Sequence, residues 1–122
     1  MNNTPPEVIE GISRALIIKK HWLDLILSGQ KTWEMRSRAT TITGWIGLIE
    51  QGSGLILGKA FLTAGWHRPS KQELIDNQHL HRVEDLDLIE KWCYAWTIEN
   101  AQKFEVPIPY LHPKGAVIWV RI

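Results

Sequence analysis

Two strand-length stretches, residues 45–51 and 55–64, meet across Gly52-Ser53-Gly54, and each carries an interior glycine, Gly47 and Gly58. Stretches of this length joined by a short Gly-containing turn read as a β-hairpin. A glycine inside a strand packs nothing and marks a bend, a bulge or the close approach of another backbone. A hairpin interrupted at two such points belongs to a sheet that curls. Ala15 to Lys19 reads as a short apolar strand. Residues 21–28 suit two helical turns, with Trp22, Leu25 and Ile26 along one side and Gly29 as the stop. From Thr32 to Arg38 the period is two, with Thr32, Glu34, Arg36 and Arg38 on one face and Trp33 and Met35 on the other. Ser70 with Glu73 three residues on is a capping box that opens a helical insert, and a second helix is expected over 83–91. Residues 92–99 read as a strand. Pro107, Pro109 and Pro113 are expected to break the next segment into an extended loop before a closing strand over 116–122.

The resulting order, β-α-β-β-β-α-α-β-β, predicts an α+β fold: a mixed β-barrel of about six strands, closed or nearly closed, with helices packed outside it. Strands and helices do not alternate regularly, which argues against a doubly wound sheet. No repeat or linker divides the chain, so residues 1–13 are expected as a flexible leader and 14–122 as one domain. With 44% apolar and 22% charged residues the chain is not a disordered one. Cys93 is the single cysteine, so no internal disulfide or cysteine-based zinc site is readable, and no metal or cofactor is expected. The apolar run Ala15-Leu16-Ile17-Ile18 is far too short to cross a bilayer, and the N-terminal residues lack a signal-peptide core. A cytoplasmic protein without a membrane partner is the expectation; a protein partner is not readable.

A net charge of +1 hides a partition. Residues 11–68 carry eight basic side chains against three acidic ones, and residues 69–105 carry four against eight. The basic half could form a face for an anionic ligand or nucleic acid. The competing reading is a solvated surface with a few ion pairs. Seven tryptophans are a large number for this length. Those in strands, Trp33, Trp45, Trp96 and Trp119, are expected to fill the barrel. Trp22, beside Lys19 and Lys20, and Trp66, beside His67 and Arg68, are the candidates for exposed base stacking.

Residues 19–36 hold a more specific pattern: Lys19-Lys20-His21-Trp22, then Gly29-Gln30-Lys31-Thr32-Trp33-Glu34-Met35-Arg36. This resembles the Gly-x-Lys-x-x-Glu-x-Arg signature of the ASCH (activating signal cointegrator homology) domain. Tyr94-Ala95-Trp96 and the segment from Phe104 through Pro107 and Tyr110 to Trp119 resemble the C-terminal half of that family. The resemblance implies a PUA-like barrel with a cleft beside the first helix. It also implies binding of RNA or another nucleic acid, with N4-acylcytidine hydrolysis and ribonuclease activity as alternatives found in some members.

Each signature residue also has a physical reading. Gly29 suits a helix C′ position, where positive φ favours glycine. Lys31 would then lie on the connection as a phosphate or carbonyl ligand; if desolvated its pKa would fall, making it a base or nucleophile. Its bland reading is a solvated turn lysine. Glu34 and Arg36 leave one strand face and can pair, leaving guanidinium donors for a ligand, or they can simply plug the barrel. A carboxylate flanked by cations suits accepting hydrogen bonds from a base edge. The expected ligand-binding set is Lys19, Lys20, Trp22, Lys31, Glu34, Arg36, Arg38 and Trp66, with RNA or a nucleotide-like ligand as partner. The enzymatic alternative uses Lys31 and Glu34 as catalytic residues. It departs from the family pattern, because members that hydrolyse acylcytidines place a threonine nucleophile where this chain has Glu34.

Overall fold

The computed structural model describes residues 11–122. Most of the expected leader, residues 1–10, lies outside the described residues. The elements are β1 (Arg14–Ile18), α1 (Lys20–Leu27), β2 (Trp33–Arg36), β3 (Gly44–Glu50), β4 (Leu55–His67), α2 (Lys71–Asp76), α3 (Gln78–His81), α4 (Leu86–Lys91), β5 (Tyr94–Pro109) and β6 (Trp119–Arg121).

The six strands form one mixed sheet in the order β2-β5-β4-β3-β1-β6, in which only β1 and β3 run parallel. The class is α+β, as the pattern of elements predicts. The sheet curls like a barrel without closing: β2 and β6 are its edges and share no ladder. Side chains cross the gap instead. Trp96 of β5 stacks on Trp119 of β6 with centroids 5.8 Å apart and planes 13° apart. Arg36 of β2 donates through Nη2 to the Ile17 carbonyl of β1 at 2.9 Å.

The glycines of the hairpin mark close approach. At Gly47 an added Cβ would sit 2.9 Å from the Ala15 side chain. At Gly58 it would run into the Gln102 carbonyl oxygen of β5, beside a register shift in β4. One face of β1, β3, β4 and β5 contributes Leu16, Ile18, Ile46, Leu48, Leu62, Trp96 and Ile98 to the main core, which α1 seals with Leu23 and Ile26. The opposite face puts Ala15, Ile17, Ile49, Ile56 and Val120 into a second cluster. Burial on both faces explains why β1 is apolar at consecutive positions rather than alternating.

Three expectations change. β5 runs through Pro107 to Pro109, where a loop is expected from the sequence. β2 pairs only with Tyr94–Thr97, and Thr32 just before it takes the Ile98 N–H, so among the described residues one edge of β5 beyond Ile98 carries no strand and a residue lacking N–H is tolerated there. The second insert helix begins at Leu86, capped by Asp85, and the short α3 precedes it. Trp45 is 37% exposed and does not fill the interior: it faces away from the main core, edge-on to Phe61 and beneath the Lys59 ammonium.

The insert docks against β2 and β5. Ser70 closes the expected capping box with Glu73, and Leu74, Val83 and Ile89 pack on Met35 and Ala95. This third cluster positions the site.

Candidate functional site

α1 ends in a Schellman turn. Gly29 takes φ of +80°, its N–H reaching the Ile26 carbonyl and that of Gln30 reaching Leu25, both at 3.0 Å. The Lys31 N–H adds a third bond to the Leu25 carbonyl, and the chain reverses so that the Lys31 side chain turns inward. The bland reading of a turn lysine in solvent is therefore excluded: Lys31 is 1% exposed. Its Nζ donates to the Trp33 carbonyl at 2.7 Å and to the His81 carbonyl. Glu34 Oε1 lies 3.7 Å away, an ion pair longer than a hydrogen bond. The indole of Trp22 covers the ammonium, 4.8 Å from the ring centroid. Burial lowers the Lys31 pKa from 10.5 to about 8, against the pull of the Glu34 carboxylate.

The His81 carbonyl is presented by a residue whose ring is itself fixed. Val83 N–H donates to His81 Nδ1 at 2.9 Å, so Nε2 carries the hydrogen that meets the Leu74 carbonyl at 2.7 Å. Burial first, and the Lys31 charge to a lesser degree, lower its pKa below the ordinary 6.5; the Leu74 bond opposes the fall. The insert thus supplies a neutral, buried imidazole whose backbone holds a buried cation.

On β2 the i, i+2 spacing brings Glu34 and Arg36 together. Arg36 donates through Nε and Nη2 to Glu34 Oε2, at 3.1 and 2.8 Å. Its guanidinium lies 5.5 Å from the centroid of Trp96. The Trp96 Nε1–H donates to the Arg38 carbonyl at 2.9 Å, tying down the chain that leaves β2. Glu34 Oε1, facing Lys31, takes no hydrogen bond from the described residues.

These groups line one cavity of about 310 Å³. Of the eight expected ligand-binding residues, Lys19, Trp22, Lys31, Glu34, Arg36 and Arg38 border it. Lys20 does not: it lies on the exposed side of α1, 2.6 Å from Asp24 one turn on. Nor does Trp66, which is 57% exposed at the end of β4. Ala60 and Leu62 of β4 face the main core, but register shifts between Leu62 and His67 break that alternation and Trp66 lies outside it. The cavity gains Trp92, edge-on to Trp22 with centroids 6.1 Å apart, and Trp96, which sequence reasoning assigns to barrel filling.

Chemically the arrangement offers an apolar, indole-walled slot with a donor and an acceptor at its floor. Two of the three Lys31 N–H groups are taken by carbonyls, and the third lies beside Glu34 Oε1. Among the described residues no cluster of His, Cys, Asp or Glu could hold a metal ion, and no helix is long and apolar enough to cross a membrane.

The ASCH domain family matches this chain over residues 16–113. No curated protein sequence matches it. The crystal structure of an ASCH protein from Zymomonas mobilis superposes with a TM-score of 0.68 at 14% identity, covering 89% of this chain and 86% of that one. Two single-residue variants of the same protein superpose with TM-scores of 0.67 at 15% identity, over 89% of this chain and 87% and 88% of theirs. At such identity the likeness is one of fold.

Proposed function

The chain belongs to the ASCH domain family, and from that premise we propose that its cleft binds a single base of RNA, or a modified nucleoside. The observation that carries this reading is the buried Lys31–Glu34–Arg36 array opening into a slot walled by Trp22, Trp92 and Trp96. A volume of about 310 Å³ suits one flat heterocycle and excludes a duplex. Indole faces supply stacking to any base. The third Lys31 N–H and the Glu34 Oε1 form a neighbouring donor and acceptor, matching the alternation of acceptors and donors along a base edge. Lys19 and Arg38, exposed where they border the cavity, suit a phosphate.

A panel of nucleosides and short oligoribonucleotides, scored for thermal shift and for product release, tests the reading. Lys31→Ala and Arg36→Ala should each abolish the shift while far-ultraviolet circular dichroism stays native. Unchanged affinity in both variants overturns it.

One observation favours a second reading, hydrolysis. With a pKa of about 8, Lys31 at neutral pH spends about a tenth of its time as a free amine next to a carboxylate. Such a pair could activate water against the amide of an N4-acylated cytidine, releasing the carboxylic acid and cytidine; ribonuclease chemistry would need the same pair beside a phosphodiester. Cytidine released from N4-acetylcytidine by the wild type and not by Lys31→Ala would decide for the enzyme. A thermal shift without product decides for binding.

A further inference from the structure

Outside the cleft, two arginines face each other across a strand pair. In the antiparallel pairing of β1 with β6, Arg14 stands opposite Arg121, two positions along from the pair Leu16 and Trp119. Both side chains therefore leave the face that carries Leu16 and Trp119. Like charges at directly opposed positions weaken a ladder. No carboxylate among the described residues lies within ion-pair distance of either guanidinium. An anion bound between them would relieve the repulsion at an edge strand only three residues long.

The pair is connected to the cleft. The Arg14 guanidinium lies over the Trp119 indole, 6.0 Å from its centroid. Trp119 is stacked on Trp96, and Trp96 carries the Arg36 guanidinium that holds Glu34. Arg36, Trp96, Trp119 and Arg14 thus form one continuous cation–aromatic stack from the floor of the cleft to the β1–β6 edge.

We propose that Arg14 and Arg121 form a phosphate subsite for a single-stranded nucleic acid that has one base in the cleft, the Trp96–Trp119 stack setting the distance between base and phosphate. The proposal rests on the reading of the cleft given above and extends it from monomer to polymer. Two guanidinium forks can hold a phosphodiester through bidentate, charge-assisted hydrogen bonds. The strand must be single, because a base inside the slot is unpaired and unstacked. A free nucleoside carries no phosphate, so this subsite adds nothing to nucleoside affinity.

That difference supplies the test. A short single-stranded oligoribonucleotide is titrated into the wild type, Arg121→Gln and the Arg14→Gln/Arg121→Gln double variant between about 50 and 200 mM salt. Neutralising one phosphate fewer on a single strand should lower the slope of log affinity against log salt by about 0.7. Because both guanidiniums serve one phosphate, the slope is expected to fall in Arg121→Gln and by about 0.7 in all in the double variant. The nucleoside-induced thermal shift should remain unchanged in Arg121→Gln, whose side chain lies outside the stack. Arg14→Lys, which keeps the charge, should retain the slope. Arg121 is exposed on the edge strand, so Arg121→Gln remains informative if the Arg14 variants fail to fold. A slope unchanged in Arg121→Gln with nucleoside binding intact overturns the phosphate subsite and leaves the cleft reading standing. Absence of both oligonucleotide and nucleoside binding in the wild type overturns the two together.

Discussion

Burial brings the Lys31 ammonium from 10.5 down to about 8, while the neighbouring Glu34 carboxylate resists the fall. Between those values the unfolded chain still holds a proton that the folded protein has released. Through this group, stability is flat below about pH 8 and rises with pH towards 10.5, by up to about 3 kcal/mol. Denaturant melts of the wild type and Lys31→Met near neutrality and near pH 10 should show the wild type gaining on the variant; identical pH profiles would mean the amine is not desolvated. Binding should move the other way, since a ligand that needs the charged donor loses affinity above about pH 8. His81 carries the same sign as Lys31 in a lower pH window. Burial depresses its pKa, so below 6.5 the unfolded chain takes up the proton first and stability falls on acidification. His81→Gln offers an amide oxygen to Val83 N–H and an amide N–H to the Leu74 carbonyl without titrating, and should flatten the acid limb of the stability profile. The Glu34–Arg36 pairing was legible in the sequence because a period of two brings i and i+2 together. The burial of Lys31 was not, because the groups that hold it are the carbonyls of Trp33 and His81 and leave no trace in residue type.

At the scale of elements, the hairpin of β3 and β4, the stop at Gly29 and the cap at Ser70 could be read directly, since turn and cap chemistry is local. β5 could not. Its prolines signal a broken segment, and only the shortness of β2, far back in the sequence, makes them acceptable on a free edge. Trp66 is exposed at the end of β4, as its polar neighbours suggest, but away from the cleft, a placement that the register shifts of β4 decide and residue type does not show. Gly58 is the element-level feature most exposed to test. A methyl there meets the Gln102 backbone carbonyl, which cannot move aside without tearing the β4–β5 ladder, and the Leu27 side chain at 2.9 Å. Gly58→Ala should cost about 3 kcal/mol, the upper end for overpacking, and appear as a lowered melting temperature. A melting curve that overlays the wild type would show that the bend tolerates a side chain.

For the molecule as a whole, the sheet is open between β2 and β6, and side chains rather than a ladder span the gap. Trp119→Ala removes the Trp96–Trp119 stack and should cost about 3 kcal/mol, with loss of the near-ultraviolet circular dichroism that stacked indoles produce. It should also leave Arg36 with a looser floor, so nucleoside affinity falls even though position 119 does not line the cleft. The contact between Lys31 and the His81 carbonyl has a different reach. Every residue type offers the same backbone carbonyl, so what the contact needs of position 81 is its placement, which the buried ring fixes through Val83 and Leu74. One residue inserted or deleted between Asn77 and Val83 would withdraw it. The spacing through α3 to Val83, rather than the residue type that lends the carbonyl, therefore sets that half of the cation's cage.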